Sequence, residues 1–405
     1  MVEDKKSNST KNIFFDNTEH AFAYKSDKDV KQAYRLFAIM RYNWLVWLGT
    51  HITPWAMRIG LPIKKIIRNT LFKQFVGGET LAHTSRINKL LQQYNVQVIL
   101  DYAIEGKATE DAFDAATNSF IQAIEYAALQ KNIPFISIKI TAIARFALLE
   151  KLNNNNPITL HTNTLNATEQ LEWQRVQKRV QHICTVAATK KIGVLIDAEE
   201  TWIQHPIDYL SFKMMQTFNK QQAIVYNTIQ LYRVDRLPFL YKSYSYATAE
   251  KFLLGVKLVR GAYMEKERKR AIKLNYPSPI QPNKASSDKD YNDAIRFCIN
   301  RIKTIATLIA SHNEESNLLA THLLQQKNIW LHHPHIHFSQ LYGMSDHITF
   351  NLAKAGCSVS KYIPFGPIKD VIPYLMRRAQ ENSSVKGQTG RELSLLKKEI
   401  KRRNI

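Results

Sequence analysis

Two adjacent arginines invite a chemical reading. In YLMRRAQEN (374–382), Tyr374, Arg377, Arg378 and Glu381 recur at i, i+3, i+4 and i+7, one face of one helix. Immediately upstream, FGPIKD supplies Gly366, Pro367 at the first helical position and Asp370 in the first turns, a favourable helix start. Such a face can be a solvated basic stripe, tied by weak Glu–Arg pairs. It can also be a fork of guanidiniums aimed at a carboxylate or a phosphate.

Other stretches carry comparable chemistry. In VKLVRGAYMEKER (256–268), strand alternation sends Lys257, Val259, Gly261 and Tyr263 to one side and Leu258, Arg260 and Ala262 to the other. Gly261 permits a close approach to the backbone. A cation and a tyrosine around that glycine suit an aromatic, anionic or electron-accepting ligand; two solvated cations at a strand end are the alternative. IDAEE (196–200) puts Asp197 and Glu199 on one face, as an acid/base pair, metal ligands or salt-bridge partners. The abundance of nearby cations favours salt bridges. SIKIT (137–141) offers Lys139 to a carboxylate or phosphate. HHPHIHF (332–338) places His335 and His337 on one strand face, but no cysteine or carboxylate nearby completes a zinc set, and no metal is expected. Neither GxGxxG nor GxxxxGK[ST] occurs, so a Rossmann or P-loop nucleotide domain is not expected.

The elements that must carry these residues show as a rhythm. Eight short apolar runs alternate with amphipathic stretches: VQVILDYAIEG, FISIKIT, IGVLIDAEE, AIVYNTIQLY, LLGVKLVRGAY, IATLIASHN, HIHFSQLYG and SVSKYIPFG. Eight βα units in about 290 residues fit an α/β fold, a (βα)8 TIM-like barrel, with a doubly wound sheet as the alternative. Each run ends in polar residues, among them Glu105, Lys139, Asp197, Gln230, Tyr263, His312 and Tyr362, where a barrel builds its active site. Residues 1–92 read as a polar tail and helices, 93–385 as the barrel, and 386–405 as a basic tail with a short amphipathic helix. KLNNNNPITLHTN reads as a polar insertion between the second and third strands.

Composition narrows the classes further. The chain has 405 residues, 45% of them hydrophobic, enough for a large folded core. Three scattered cysteines form no disulfide framework, which suits a reducing compartment. Lys plus Arg number 56 against 34 Asp plus Glu, a formal charge of +22 that attracts anions of any kind. The first 34 residues lack arginine but contain Glu3, Asp4, Asp16, Glu19, Asp27 and Asp29, which argues against a mitochondrial transit peptide. His51, Pro54 and Arg58 interrupt the best candidate for a membrane span. Trp44, Trp47 and Trp55 cluster beside Arg41, Arg58, Lys64, Lys65 and Arg68, a pattern compatible with a membrane interface or with packing on the barrel.

VKLVRGAY followed by YLMRRAQEN, with IDAEE, SIKIT and IASHN in order, resembles proline dehydrogenase, the flavin enzyme of proline catabolism, over about residues 95–385. The resemblance implies a distorted barrel that holds FAD without a Rossmann domain. It implies oxidation of L-proline to Δ1-pyrroline-5-carboxylate, hydride passing from proline C5 to flavin N5 and electrons to a membrane quinone. Carried over by motif, Arg377 and Arg378 clamp the substrate carboxylate with Lys139 as a third cation, and Tyr362, Tyr374 and Leu341 wall the ring. Glu105 pairs with the first arginine and gates the pocket. Asp197, Ala262 and Tyr263 line the site beside the flavin; Gln230, Lys257, Arg260, Ala262, His312 and Glu381 match cofactor positions. Lys257 stands where many bacterial members carry arginine and Met264 where they carry tryptophan, variants of a eukaryote-like branch. Tyr362 favours proline over hydroxyproline, whose enzymes carry a smaller residue there. The implied place is the cytoplasmic side of an inner membrane, peripherally bound, or the matrix side of the mitochondrial inner membrane in a eukaryote. The positive charge is assigned to that contact, and no nucleic-acid partner is expected.

Overall fold

A computed structural model describes residues 13–42, 44, 63–103, 108–153, 158–384 and 388–405. Eight parallel strands close into a barrel in chain order: β1 Gln97–Tyr102, β2 Phe135–Ile138, β3 Gly193–Ile196, β4 Val225–Gln230, β5 Leu254–Val259, β6 Ile305–Ala310, β7 Ile336–Leu341 and β8 Val359–Phe365. Each falls within one of the apolar runs. β1 closes on β8 in register from Gln97 opposite Ser360 to Tyr102 opposite Phe365, which excludes the doubly wound sheet.

The runs are nearly continuous in apolar residues because a parallel barrel strand is covered on both faces. Ile99, Leu195, Tyr226, Ala306, Leu308 and Tyr362 meet inside the barrel. Their strand neighbours Val98, Leu100, Ile196, Ile309 and Ile363 join the larger core between strands and helices. The alternation expected for 256–268 holds. Lys257 reaches inward to Asp197, Leu258 enters the outer core, and Arg260 turns to Asp288 on the helix Lys284–Ile299. The three cysteines are buried and free.

A second core sits on the C-terminal end of the barrel. Phe22, Val30 and Phe37 of the helices Thr18–Phe22 and Asp27–Met40 pack with Val371 and Leu375 of Ile368–Ser384 and with Leu395 and Leu396 of Gln388–Arg403. Ala103 and Met344, just past β1 and β7, belong to it. The stretch read as a basic tail is therefore docked over residues 388–403. Arg403 donates to the Phe22 and Lys25 carbonyls and pairs with Asp27 at 2.9 Å. Of the tryptophan–basic cluster, Trp44 is exposed and Arg68 pairs with Glu79 at 2.5 Å; Trp47, Trp55 and Arg58 lie outside the described residues. Among the described residues, no helix is long and apolar enough to cross a membrane.

Candidate active site

Asp197 is the hub of the barrel's interior. It follows β3 and accepts from the Tyr362 hydroxyl at 2.8 Å, from the Ser137 hydroxyl at 2.8 Å and from the Lys257 ammonium. The same ammonium lies 5.3 Å from the centre of the Tyr362 ring. Burial pushes the Asp197 carboxyl up, but Lys257 and Lys139 outweigh it and hold the group below the ordinary aspartate value. Burial, then the charges of Asp101 and Asp197, push the Tyr362 phenol well up, so it stays a hydrogen-bond donor.

A buried rim follows on the β2–β5 side. The loop after β2 turns into a short 3-10 helix, Ile140–Ala142, which aims the Thr141 amide and hydroxyl at Glu199, 3.1 and 2.5 Å from its two oxygens. Asp197 and Glu199 were expected as salt-bridge partners. Asp197 is one; Glu199 is held by Thr141 instead, and burial pushes its carboxyl up to about 7. The Gln230 amide donates to the Glu199 carbonyl at 2.8 Å and is buried. Tyr263 lies in the fields of Glu199, Arg377 and Lys139, with burial raising its phenol most. Ala262, beside it, is exposed. Gly261 has φ +142°, and a Cβ there would meet the Tyr232 ring at 2.2 Å. The close approach this glycine permits is thus that of a neighbouring tyrosine.

The arginine pair sits on the helix Ile368–Ser384, as its spacing predicts. The Pro367 carbonyl accepts from the Asp370 and Val371 amides, so Pro367 caps this helix and Ile368 is its first residue. Gly366, at φ +144°, turns the chain into that cap, which shifts the start by one residue from the expected position. Arg378 is 6% exposed, with its guanidinium 5.2 Å from the buried Tyr374 ring, and Arg377 is half-buried. The solvated-stripe reading therefore fails for both. Lys139, at 8% exposure, is equally enclosed.

On the β5–β6 side, Arg260 donates to Asp288, Ser311 and Ser316 at 2.7, 2.8 and 3.0 Å. His312 rests its Nδ1 on the Ser345 hydroxyl at 2.9 Å. Burial, then the cations Lys361 and Arg378, hold its pKa down at about 3, so the imidazole is neutral. Leu341 ends β7 and packs against the interior cluster with Tyr362. Glu105 and the Glu381 side chain lie outside the described residues. His337, on β7, bonds Ser360 at 2.6 Å, whereas His335 lies just before the strand and bonds the Ile302 carbonyl at 2.7 Å, so the two do not share a strand face.

The fold thus brings Lys139, Asp197, Lys257, Tyr263, Tyr362, Arg377 and Arg378 to one mouth: an enclosed set of cations walled by tyrosines, suited to a small anion. Sequence reasoning passed over Ser137 and Ser345. Ser137 was legible, since period two puts it on the face of Lys139. Ser345 was not, because its partner lies 33 residues away.

The sequence model described as Proline dehydrogenase matches residues 83–391. The chain belongs to this family. Proline dehydrogenase 1, mitochondrial, of Dictyostelium discoideum is 34% identical over 385 residues, covering 85% of this chain and 67% of its own. Hydroxyproline dehydrogenase of Xenopus laevis is 29% identical over 384 residues, covering 88% and 80%. Among solved structures, proline utilization A (PutA) from Bdellovibrio bacteriovorus, inactivated by N-propargylglycine, superposes with a TM-score of 0.69. The identity is 20%, and the match covers 96% of this chain but 42% of that one, so the likeness is of fold. Membership of the proline dehydrogenase family makes the chain an oxidoreductase, on the barrel its strands predict.

Proposed function

We propose that this protein oxidises L-proline to Δ1-pyrroline-5-carboxylate with FAD held in the mouth of the barrel. The observation that carries the reading is the convergence of Lys139, Arg377 and Arg378 on the mouth beside Tyr263 and His312, a grouping of ammonium and guanidinium donors that suits a small carboxylate. In this reading the three cations bind the substrate carboxylate, and Leu341, Tyr362 and Tyr374 wall the ring. Each charge-assisted hydrogen bond contributes about 1.5–3 kcal/mol, and the fixed pose presents C5 for oxidation. Glu105 is assigned to pair with Arg377 and gate the pocket.

The donors on β4, β5 and after β6 suit FAD. Gln230 offers an amide, Arg260 and Lys257 offer cations, and His312 offers a neutral ring. Ala262, Tyr263 and Glu381 are assigned to the same side. FAD held there would supply the two-electron acceptor, at its N5, for the hydride that leaves proline C5. Asp197 keeps Lys257 and the Tyr362 hydroxyl aimed inward. The electrons go on to a membrane quinone. The formal charge of +22 supports peripheral contact with an anionic membrane; the Dictyostelium relative is named mitochondrial, which supports a mitochondrial place.

An anaerobic visible spectrum tests this first. A flavin spectrum bleached by L-proline is expected; a protein that takes up no FAD overturns the reading. Arg378→Met is expected to raise KM for proline by at least about 100-fold, the loss of two charge-assisted bonds; unchanged kinetics in it and in Arg377→Met overturn the clamp. The hydroxyproline dehydrogenase relative supports a second substrate reading. In this reading the Tyr362 ring, held by Asp197, leaves no room for a ring hydroxyl, so kcat/KM is expected to favour proline. The opposite preference would replace it with hydroxyproline.

A further inference from the structure

Ser345 stands in an unusual backbone conformation for its place. Among the described residues, the other non-glycine residues at positive φ are Asn95, Lys191, Lys251, Asn275, Asn328 and Asn404, each just past the end of a helix, where the left-handed region is common. Ser345, at φ +50°, instead precedes one, the helix Asp346–Lys354. An N-cap serine ordinarily turns its hydroxyl onto the first helical amides. This one makes no such cap bond, and its hydroxyl goes to His312 at 2.9 Å. Two local preferences are thus given up for one contact, a pattern that marks a functional site.

The conformation is held from outside. Glu392, buried on the helix Gln388–Arg403, accepts the Ser345 amide. Its neighbour Arg391 takes Glu314 at 2.7 and 3.1 Å, and Glu314 takes His347 at 3.0 Å. Glu314 lies two residues after His312. One turn of the last helix therefore grips both the Ser345 loop and the loop that carries the imidazole.

We propose that Glu392 is a positioning residue for the cofactor side of the site, acting through Ser345 to orient His312. The proposal rests on the assignment of His312 to FAD.

The test measures FAD released from holoenzyme on dilution, read by the fluorescence of free flavin, beside thermal unfolding of the same samples. Glu392→Ala is expected to release FAD about tenfold more readily; Glu392→Gln keeps an acceptor for the Ser345 amide and is expected to restore retention. Ser345→Gly keeps the backbone free to stay at positive φ but loses the hydroxyl. It is expected to hold or gain thermal stability while losing FAD, a divergence that a purely structural role does not produce. On a His312→Ala background, Glu392→Ala is expected to add nothing. Additive loss in that double variant, or wild-type retention in Ser345→Gly, overturns the relay. Wild-type retention in His312→Ala overturns the relay together with the assignment of His312, whereas wild-type protein that holds no FAD overturns the proposed function itself.

Discussion

Strand β8 carries two neighbours that build the same triad on opposite sides of the barrel wall. Tyr362 points inward, where its hydroxyl and the Lys257 ammonium converge on Asp197. Lys361 points outward, where it pairs with Asp346 at 2.8 Å, and the Tyr24 hydroxyl donates to the same carboxylate at 2.8 Å. Each set is a lysine, an aspartate and a tyrosine. In each, burial pushes the carboxyl up and cations more than reverse it; the Asp346 pKa falls to about 2 and that of Asp197 below its ordinary value. Access separates them. The outer triad is sealed, with Lys361 fully buried, Lys25 3.5 Å from Asp346 and the Met344 carbonyl 2.6 Å from the ammonium. The inner triad opens on the mouth, where the Asp197 side chain is 14% exposed. A sealed ion pair can only hold structure together; one that faces a cavity can trade its partner for a ligand.

Breaking the outer triad is the harshest test of that difference. Asp346→Ala or Lys361→Met strands a buried charge and is expected to cost about 3–5 kcal/mol in chemical denaturation. A loss below 1 kcal/mol would mean that water reaches the pair. The matching inner variant, Asp197→Asn, at a position that opens on the mouth, is expected to cost less stability than Asp346→Ala but to lower kcat/KM for proline about 100-fold, through misaligned Lys257 and Tyr362. Equal stability losses for the two aspartates would dissolve the contrast.

Glu199 sharpens the comparison, because it is a buried carboxyl held by a threonine rather than by a cation. The folded protein keeps its proton up to about pH 7, whereas the ordinary value is 4.5. Its stabilisation is therefore full at low pH and is lost as pH rises from 4.5 through 7. Glu199→Gln is expected to remove about 2 kcal/mol of the stability difference between pH 5 and pH 8. An unchanged pH slope would mean that the carboxylate stays ionised on Thr141. The smallest effect separates the two tyrosines. Tyr24→Phe is expected to cost about 1 kcal/mol of stability, measured by denaturation, and to leave turnover unchanged. Tyr362→Phe is expected to do the reverse, with about a tenfold fall in kcat/KM at similar stability.

The inner triad was partly legible in the sequence and the outer one was not. Strand alternation in SVSKYIPFG puts Lys361 and Tyr362 on opposite faces, and the motifs around Asp197 and Lys257 fall at strand ends, where barrel chemistry gathers. All eight strands were legible for a related reason: burial on both faces leaves short, mostly apolar runs. No local pattern says that the outward Lys361 finds Asp346, or that Tyr24 crosses 322 residues of chain to join them. The Tyr24 contact exists only once the amino-terminal helices have docked on the far end of the chain. The same holds for Glu392 and Ser345, 47 residues apart on elements with no common period. Glu199 was legible as a chemical residue but not as a neutral one, because the hydroxyl beside it comes from the preceding βα loop.

The docking of residues 388–403 against the helices of residues 18–40 also bears on the order of assembly. Ribosomal synthesis runs from the amino end, so the helix that carries Glu392 and Arg403 is made after all eight strands. Phe22 and Lys25, which receive Arg403, must wait through the translation of more than 360 residues for that partner. At about 5–20 residues per second, that is a delay of tens of seconds. Through that interval the nascent chain presents apolar Phe22, Val30 and Phe37 without their covering helix. The helix that carries Glu392 therefore reaches the barrel mouth only after β8 has been made.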